Sequence, residues 1–212
     1  MSAYEDILAA LDRVPWDLAK EVTPIRPNGH AEWNFFPGHR GFCGESFPHE
    51  GVMMVANNFD CLAGWKTYCD DPSQQDKSPT MRRLPRIIER SQIPPEQIWL
   101  TNFSLGVMDA RDKNGKPTSR YEFPKKVRQT LRFAEAFEAF AEAMKPRLIV
   151  TMGEYAANYI CTDYIGTSTR RPADTRTLYG CKAIAILHPG APGISDAQFD
   201  AEAERIRHAY DG

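Results

Sequence analysis

The sequence lacks most of the signals that assign a function at sight. No apolar run approaches the roughly 20 residues that cross a bilayer, so no membrane partner is expected. The first thirty residues carry acids, Trp16 and prolines in place of a basic start and an apolar stretch, and no secretory leader is expected either. The five cysteines, Cys43, Cys61, Cys69, Cys161 and Cys181, are odd in number and contain no C-x-x-C. That leaves no zinc or iron–sulfur spacing and predicts reduced thiols in a cytoplasmic protein without metal or cofactor. A phosphate loop of the G-x-x-x-x-G-K type is missing, which counts against an NTPase, and so is the G-x-S-x-G of serine hydrolases. Neither sign of charge dominates: 26 Lys and Arg stand against 28 Asp and Glu, a formal net charge of −2. Nucleic-acid binding would therefore have to rest on a local basic patch.

What is present is one core's worth of apolar residues. With 212 residues, 42% of them hydrophobic, the chain is read as a single domain over residues 1–212. A helix is expected from Tyr4 to Leu11, then an irregular Pro-, Gly- and aromatic-rich segment over 22–48, wrapped on the surface. Four apolar runs follow: "VMMVA" from Val52, "IWLT" from Ile98, "LIVTM" from Leu148 and "AIAIL" from Ala183. Helical stretches start at Pro79, at Phe123 (one helix to Lys145), at Glu154 and at Asp196. Strands apolar throughout are buried on both faces, and strands alternating with helices form a parallel sheet between helix layers. The predicted fold class is therefore α/β, a three-layer α/β/α sandwich with a parallel central sheet of about four strands.

In such a sheet ligands bind outside the carboxyl ends of the strands. Those ends read "ANNFD", "TNFSLG", "GEYA" and "HPGAPG". Asn is common at strand ends as a helix cap or turn former, and "HP" alone is more often a turn. Three such ends on one sheet are more specific, because an asparagine amide offers one acceptor and two donors in a plane that suits a nucleobase edge.

On "GVMMVANNFD", "IWLTNFSLG", "PRLIVTMGEYAA" and "AILHPGAPG", in that order from Gly51 to Gly193, the chain resembles the uracil-DNA glycosylase superfamily. The resemblance implies hydrolysis of the N-glycosidic bond of uracil or another deaminated base in DNA, by a monomer of the same fold. It implies Asn58 as the residue of the first motif that positions water, Asn102 as the reader of the base edge and His188 as the catalytic residue of the last. Where the family usually has Gly before that region and Pro after the Asp or Asn, this chain has Ala56 and Phe59. Its last motif has Gly190 and Pro192 in place of Ser and a bulky side chain.

Base release builds negative charge on the leaving base, which a donor such as His188 stabilises. Asn58 holds a water through its carbonyl but cannot take its proton, which predicts slow catalysis unless Asp60 reaches that water. Phe59 and Trp65 are candidate stacking faces for the base. Asn57 is placed beside them, as a base contact or as the tie that holds the turn. DNA contact is expected from the loop Gly190, Ala191 and Pro192 and from the basic side chains Lys125, Lys126, Arg128, Arg170 and Arg171. Two other readings stand: a member of the same fold that binds a nucleobase, nucleotide or nucleic acid without cutting, and a hydrolase using Cys43 with His49 or His188.

Overall fold

A computed structural model describes residues 3–25, 50–119, 121–160 and 176–212. The two faces of a central sheet organise it. Strands β1 (Val22–Pro24), β2 (Val52–Ala56), β3 (Ile98–Asn102), β4 (Gly106–Met108), β5 (Leu148–Met152), β6 (Arg176–Leu178) and β7 (Cys181–Ile186) form two sheets. The main one has the order β3-β2-β5-β7-β6. Its first four strands are parallel, as the apolar runs predict; the fifth, β6, is antiparallel to β7.

The extra strand comes from a two-residue hairpin. Tyr179 and Gly180 both have positive φ, 50° and 75°, the geometry that turns a tight β-hairpin back on itself with the right twist. The expected irregular segment also differs at its start: Val22–Pro24 pairs antiparallel with β4, and Val22 and Ile25 are buried. The rest of that segment, 26–48, lies outside the described residues.

Helices α1 (Ala3–Asp12), α2 (Leu62–Asp70), α3 (Pro79–Ser91), α4 (Lys125–Thr130), α5 (Phe133–Met144), α6 (Glu154–Ile160) and α7 (Asp196–Asp211) complete the fold. Side chains alternate across the sheet, and the alternation divides the core. Met53, Val55, Trp99, Ile149 and Ala183 pack with α1 and α5. Val52, Met54, Ala56, Leu100, Val150, Met152, Ile184 and Ile186 pack with α3 and α7. Both faces are covered, which gives the three-layer α/β/α arrangement and explains why these strands carry no polar alternation.

Local chemistry starts and stops the helices. Ser78 caps α3 by accepting from the Met81 N–H, with Pro79 in the first turn where its missing N–H costs nothing. Ser195 and Gln198 form a reciprocal capping box at α7. The single helix expected over 123–145 is instead two, because Arg132 adopts φ 52° between α4 and α5. Leu131 and Phe133 are both fully buried, and two positions about 200° apart on one helix cannot share a face. The left-handed residue between them turns both inward. From there Phe133, Ala136, Phe137, Phe140, Ala141 and Met144 form one buried stripe.

Phe140 lies at the centre of that stripe, fully buried with its ring 5.9 Å from Trp99. Phe140→Ala is expected to lower unfolding stability by about 3–5 kcal/mol; urea denaturation of the two proteins checks this.

Candidate functional site

β2 lies between β3 and β5, so the chain leaves β2 toward one neighbour and later returns on its other side. Such a reversal opens a crevice at the carboxyl edge of the sheet. Register sets who is there: Ala56 is opposite Asn102, and Met152 is opposite Ile186. The residues that follow, Asn57 and Asn58, Gly153, and His188, therefore emerge on the same edge as Asn102.

The turn after β2 is stitched to the end of β3. Phe103 N–H donates to the Ala56 carbonyl and Ser104 N–H to the Asn57 carbonyl, both at 2.9 Å. Asn57 is 7% exposed, and its Nδ2 donates to Asn58 Oδ1 at 3.2 Å and to the Tyr121 carbonyl at 3.3 Å. Two acceptors around one nitrogen fix the amide orientation. Its Oδ1 is buried with no hydrogen-bond partner among the described residues. Asn57 is thus first of all the tie of the turn. Asn58 is half-buried, donates from Nδ2 to the Ser119 carbonyl at 3.4 Å, and keeps a second lone pair on Oδ1.

Tyr121 organises this turn from a loop more than sixty residues away in sequence. Its hydroxyl donates to the Asp60 carbonyl at 2.9 Å and accepts from Met108 N–H at 3.3 Å. Burial raises its pKa, opposed by a hydrogen bond with the Asn58 side chain. Asp60 is already engaged: Oδ1 accepts from Cys61 N–H at 2.6 Å and Oδ2 from the Tyr68 hydroxyl at 2.7 Å. Burial, and then the Asp60 charge, push the Tyr68 phenol upward, so it stays a donor. The carboxylate thus holds the start of α2, where a catalytic base was expected. Gly64 permits it, since a Cβ there would sit 2.3 Å from Asp60 Oδ2.

The aromatic residues separate into two roles. Trp65 is 7% exposed and packs with Ile25 and Val107, a core position that corrects its expected use as a stacking face. Phe59 is half-buried in front of it, edge-on at 5.0 Å, and retains surface.

Asn102 is 1% exposed, and its Nδ2 has no hydrogen-bond partner among the described residues. Leaving an amide donor unpaired in a protein interior costs about 1–3 kcal/mol, so this nitrogen is a donor that a bound acceptor would satisfy.

His188 is built into a tight loop. Gly190 N–H donates to its Nδ1 at 3.0 Å, and Ala191 N–H donates to its carbonyl at 2.9 Å. An accepting Nδ1 puts the proton of the neutral ring on Nε2. Gly153, with φ +85°, fits against the imidazole; a Cβ there would lie 2.8 Å from His188 Cβ. Burial against these groups pushes the His188 pKa from 6.5 down to about 4. At neutral pH the site therefore presents a neutral N–H donor.

The basic residues are less uniform than their sequence suggests. Lys125 and Lys126 are exposed at the start of α4. Arg128 is paired with Glu122 at 2.7 Å and its side chain is only 16% exposed, so its charge is already answered, against its expected role on DNA. Gly190 and Ala191 are half-buried and Pro192 is exposed. Arg170, Arg171, Cys43 and His49 lie outside the described residues. Among the described residues no helix is long and apolar enough to cross a membrane, and no group of three His, Cys, Asp or Glu side chains could hold a metal ion.

Sequence reading did not single out Tyr121, Tyr68 or Arg83, the last of which holds the His188 loop. Each reaches the site through the tertiary fold and carries no local signal. Gly153 had one: a glycine directly after an apolar strand. No protein-family model matches the chain, and no curated protein matches it.

The His188 environment has a thermodynamic consequence. Between pH 6.5 and about 4 the unfolded chain binds a proton at His188 that the folded protein excludes, so stability falls as pH drops through that window. His188→Gln should flatten this slope; urea titrations at about pH 7 and about pH 4.5 measure it, and an unchanged slope contradicts the assignment.

Proposed function

We propose that the chain is a DNA glycosylase of the uracil-DNA glycosylase type, hydrolysing the N-glycosidic bond of uracil or another deaminated base. The observation that carries the reading is the pairing of two donors at one sheet edge. These are a neutral His188 whose Nδ1 is occupied by Gly190 N–H, and a buried Asn102 Nδ2 that has no acceptor among the described residues.

In this mechanism the bond between the sugar C1′ and the base nitrogen breaks with its electron pair leaving on the base. His188 Nε2–H donates to the base oxygen as it becomes negative. With its pKa lowered to about 4, the ring stabilises the anion as a hydrogen-bond donor, without carrying a positive charge of its own. Asn102 Nδ2 donates to a carbonyl on the base edge, and a base presenting a donor there leaves two donors facing each other. Water adds to C1′, aligned by the remaining lone pair of Asn58 Oδ1. Because both Asp60 oxygens already accept, from Cys61 N–H and the Tyr68 hydroxyl, the proton released by the water passes to solvent or to the departing base anion, and turnover is slow. Phe59 offers an aromatic edge at the rim. Lys125 and Lys126 supply the positive charge for the DNA backbone.

That same commitment of Asp60, together with the bonds that already occupy Asn58, favours one second reading: a protein of this fold that binds the base without cutting. Oligonucleotides carrying uracil, hypoxanthine or xanthine, single- and double-stranded, separate the two. Abasic sites formed at enzyme excess support cleavage; binding with no abasic product on any of them supports the second reading.

Given activity, His188→Ala is expected to slow single-turnover cleavage by about 10² to 10³. Asn58→Asp adds a basic oxygen in the same shape and should equal or exceed the parent rate. If Asn58→Ala cleaves as fast as the parent, Asn58 does not hold the water. Removing Lys125 and Lys126 together should flatten the logarithmic salt dependence of DNA binding by about 1 to 2 units without altering base preference; an unchanged slope places those lysines away from the DNA.

A further inference from the structure

The loop that carries His188 is held from outside by one side chain. Arg83, half-buried on α3, donates from Nη1 to the Pro189 carbonyl and to the Ala191 carbonyl, each at 2.9 Å. Both protons of that nitrogen are used, one on each side of Gly190. Its guanidinium lies 5.1 Å from the centre of the Phe199 ring, which keeps it against α7. Gly190 between the two carbonyls packs on the same helix: a Cβ there would meet Thr80 Oγ1 at 2.5 Å and the His188 ring at 3.2 Å.

These contacts act in series. The Pro189 and Ala191 carbonyls, fixed by Arg83, set the direction of the peptide that carries Gly190 N–H. That N–H donates to His188 Nδ1, and this bond decides which ring nitrogen bears the proton and where it points. We propose that Arg83 is a positioning residue: it clamps the 188–191 loop so that Gly190 N–H holds the imidazole with Nε2–H directed to the sheet edge. A cation that only stabilised the fold would need no fork across two carbonyls flanking one glycine. The consequence for catalysis rests on the glycosylase reading; the consequence for the imidazole does not.

The experiment uses the full-length protein and Arg83→Met, which keeps much of the apolar stem and removes the donors. With ¹⁵N labelling, the N–H···N bond from Gly190 to His188 Nδ1 is read as a through-bond coupling, and the Gly190 amide as its exchange rate. The parent should show the coupling. Arg83→Met, folded by circular dichroism, should lose it and exchange the Gly190 amide about tenfold faster or more. Persistence of the coupling in folded Arg83→Met overturns the proposal. Should that variant fail to fold, Arg83→Gln, too short to reach both carbonyls, carries the comparison, and exchange equal to the parent overturns it. If the parent cleaves DNA, the single-turnover rate should fall by up to about 10²-fold while affinity for the same oligonucleotide stays within about twofold. Lost coupling with an unchanged rate overturns the catalytic half. An inactive parent sinks the glycosylase reading and leaves the clamp to be decided by the NMR measurement.

Discussion

Four strands that run in one direction and pair in register must end together. From Val52 opposite Ile98 through Met152 opposite Ile186, that pairing brings two asparagine-bearing turns, a glycine and a histidine loop to one edge although 130 residues separate the first from the last. Parallel pairing needs helical crossovers, and the crossovers cover both faces, which in turn requires the strands to be apolar throughout. The same constraint thus supplies the core and gathers the polar groups at its edge. The reversal of direction around β2 leaves that edge open to a ligand.

Gathering is coarse, and the fine geometry comes from a few close approaches. Gly153 and Gly190 bring backbone against the His188 ring where a Cβ would collide. Tyr121 holds the other side, joining Asn57, Asn58 and Asp60 through its carbonyl and hydroxyl. Backbone donors and carbonyls do most of this fastening, which keeps the edge neutral. The charged groups next to it, Asp60 and Arg83, are both turned toward loop and helix anchoring. An edge of neutral donors suits a planar ligand that gains negative charge more than one that arrives with it.

Two departures from the expected architecture have local causes. Helix 123–145 divides at Arg132, whose left-handed φ lets Leu131 and Phe133, about 200° apart on a continuous helix, both turn inward. The sheet gains an antiparallel fifth strand because Tyr179-Gly180 can adopt two successive positive φ values. In the first case burial overrode helix propensity; in the second a two-residue turn too short to stand out in the sequence set the topology.

Apolar periodicity alone determined the four parallel strands, with bounds at or within two residues of those observed, and helix α3 from Pro79 to Ser91. It did so because burial on both faces writes itself into every position of a strand. The polar strand ends marked Asn57, Asn58, Asn102 and His188 because a polar residue closing an apolar run marks where the buried strand gives way to a turn. What those groups can do was decided only in three dimensions. Asp60 became an anchor through Tyr68, Trp65 became core through Ile25 and Val107, Arg128 was answered by Glu122, and His188 became a neutral donor through Gly190 and Gly153. Hydrogen bonds and desolvation act over a few ångströms of space, and the partners that set them lie between 2 and 42 residues apart along the chain.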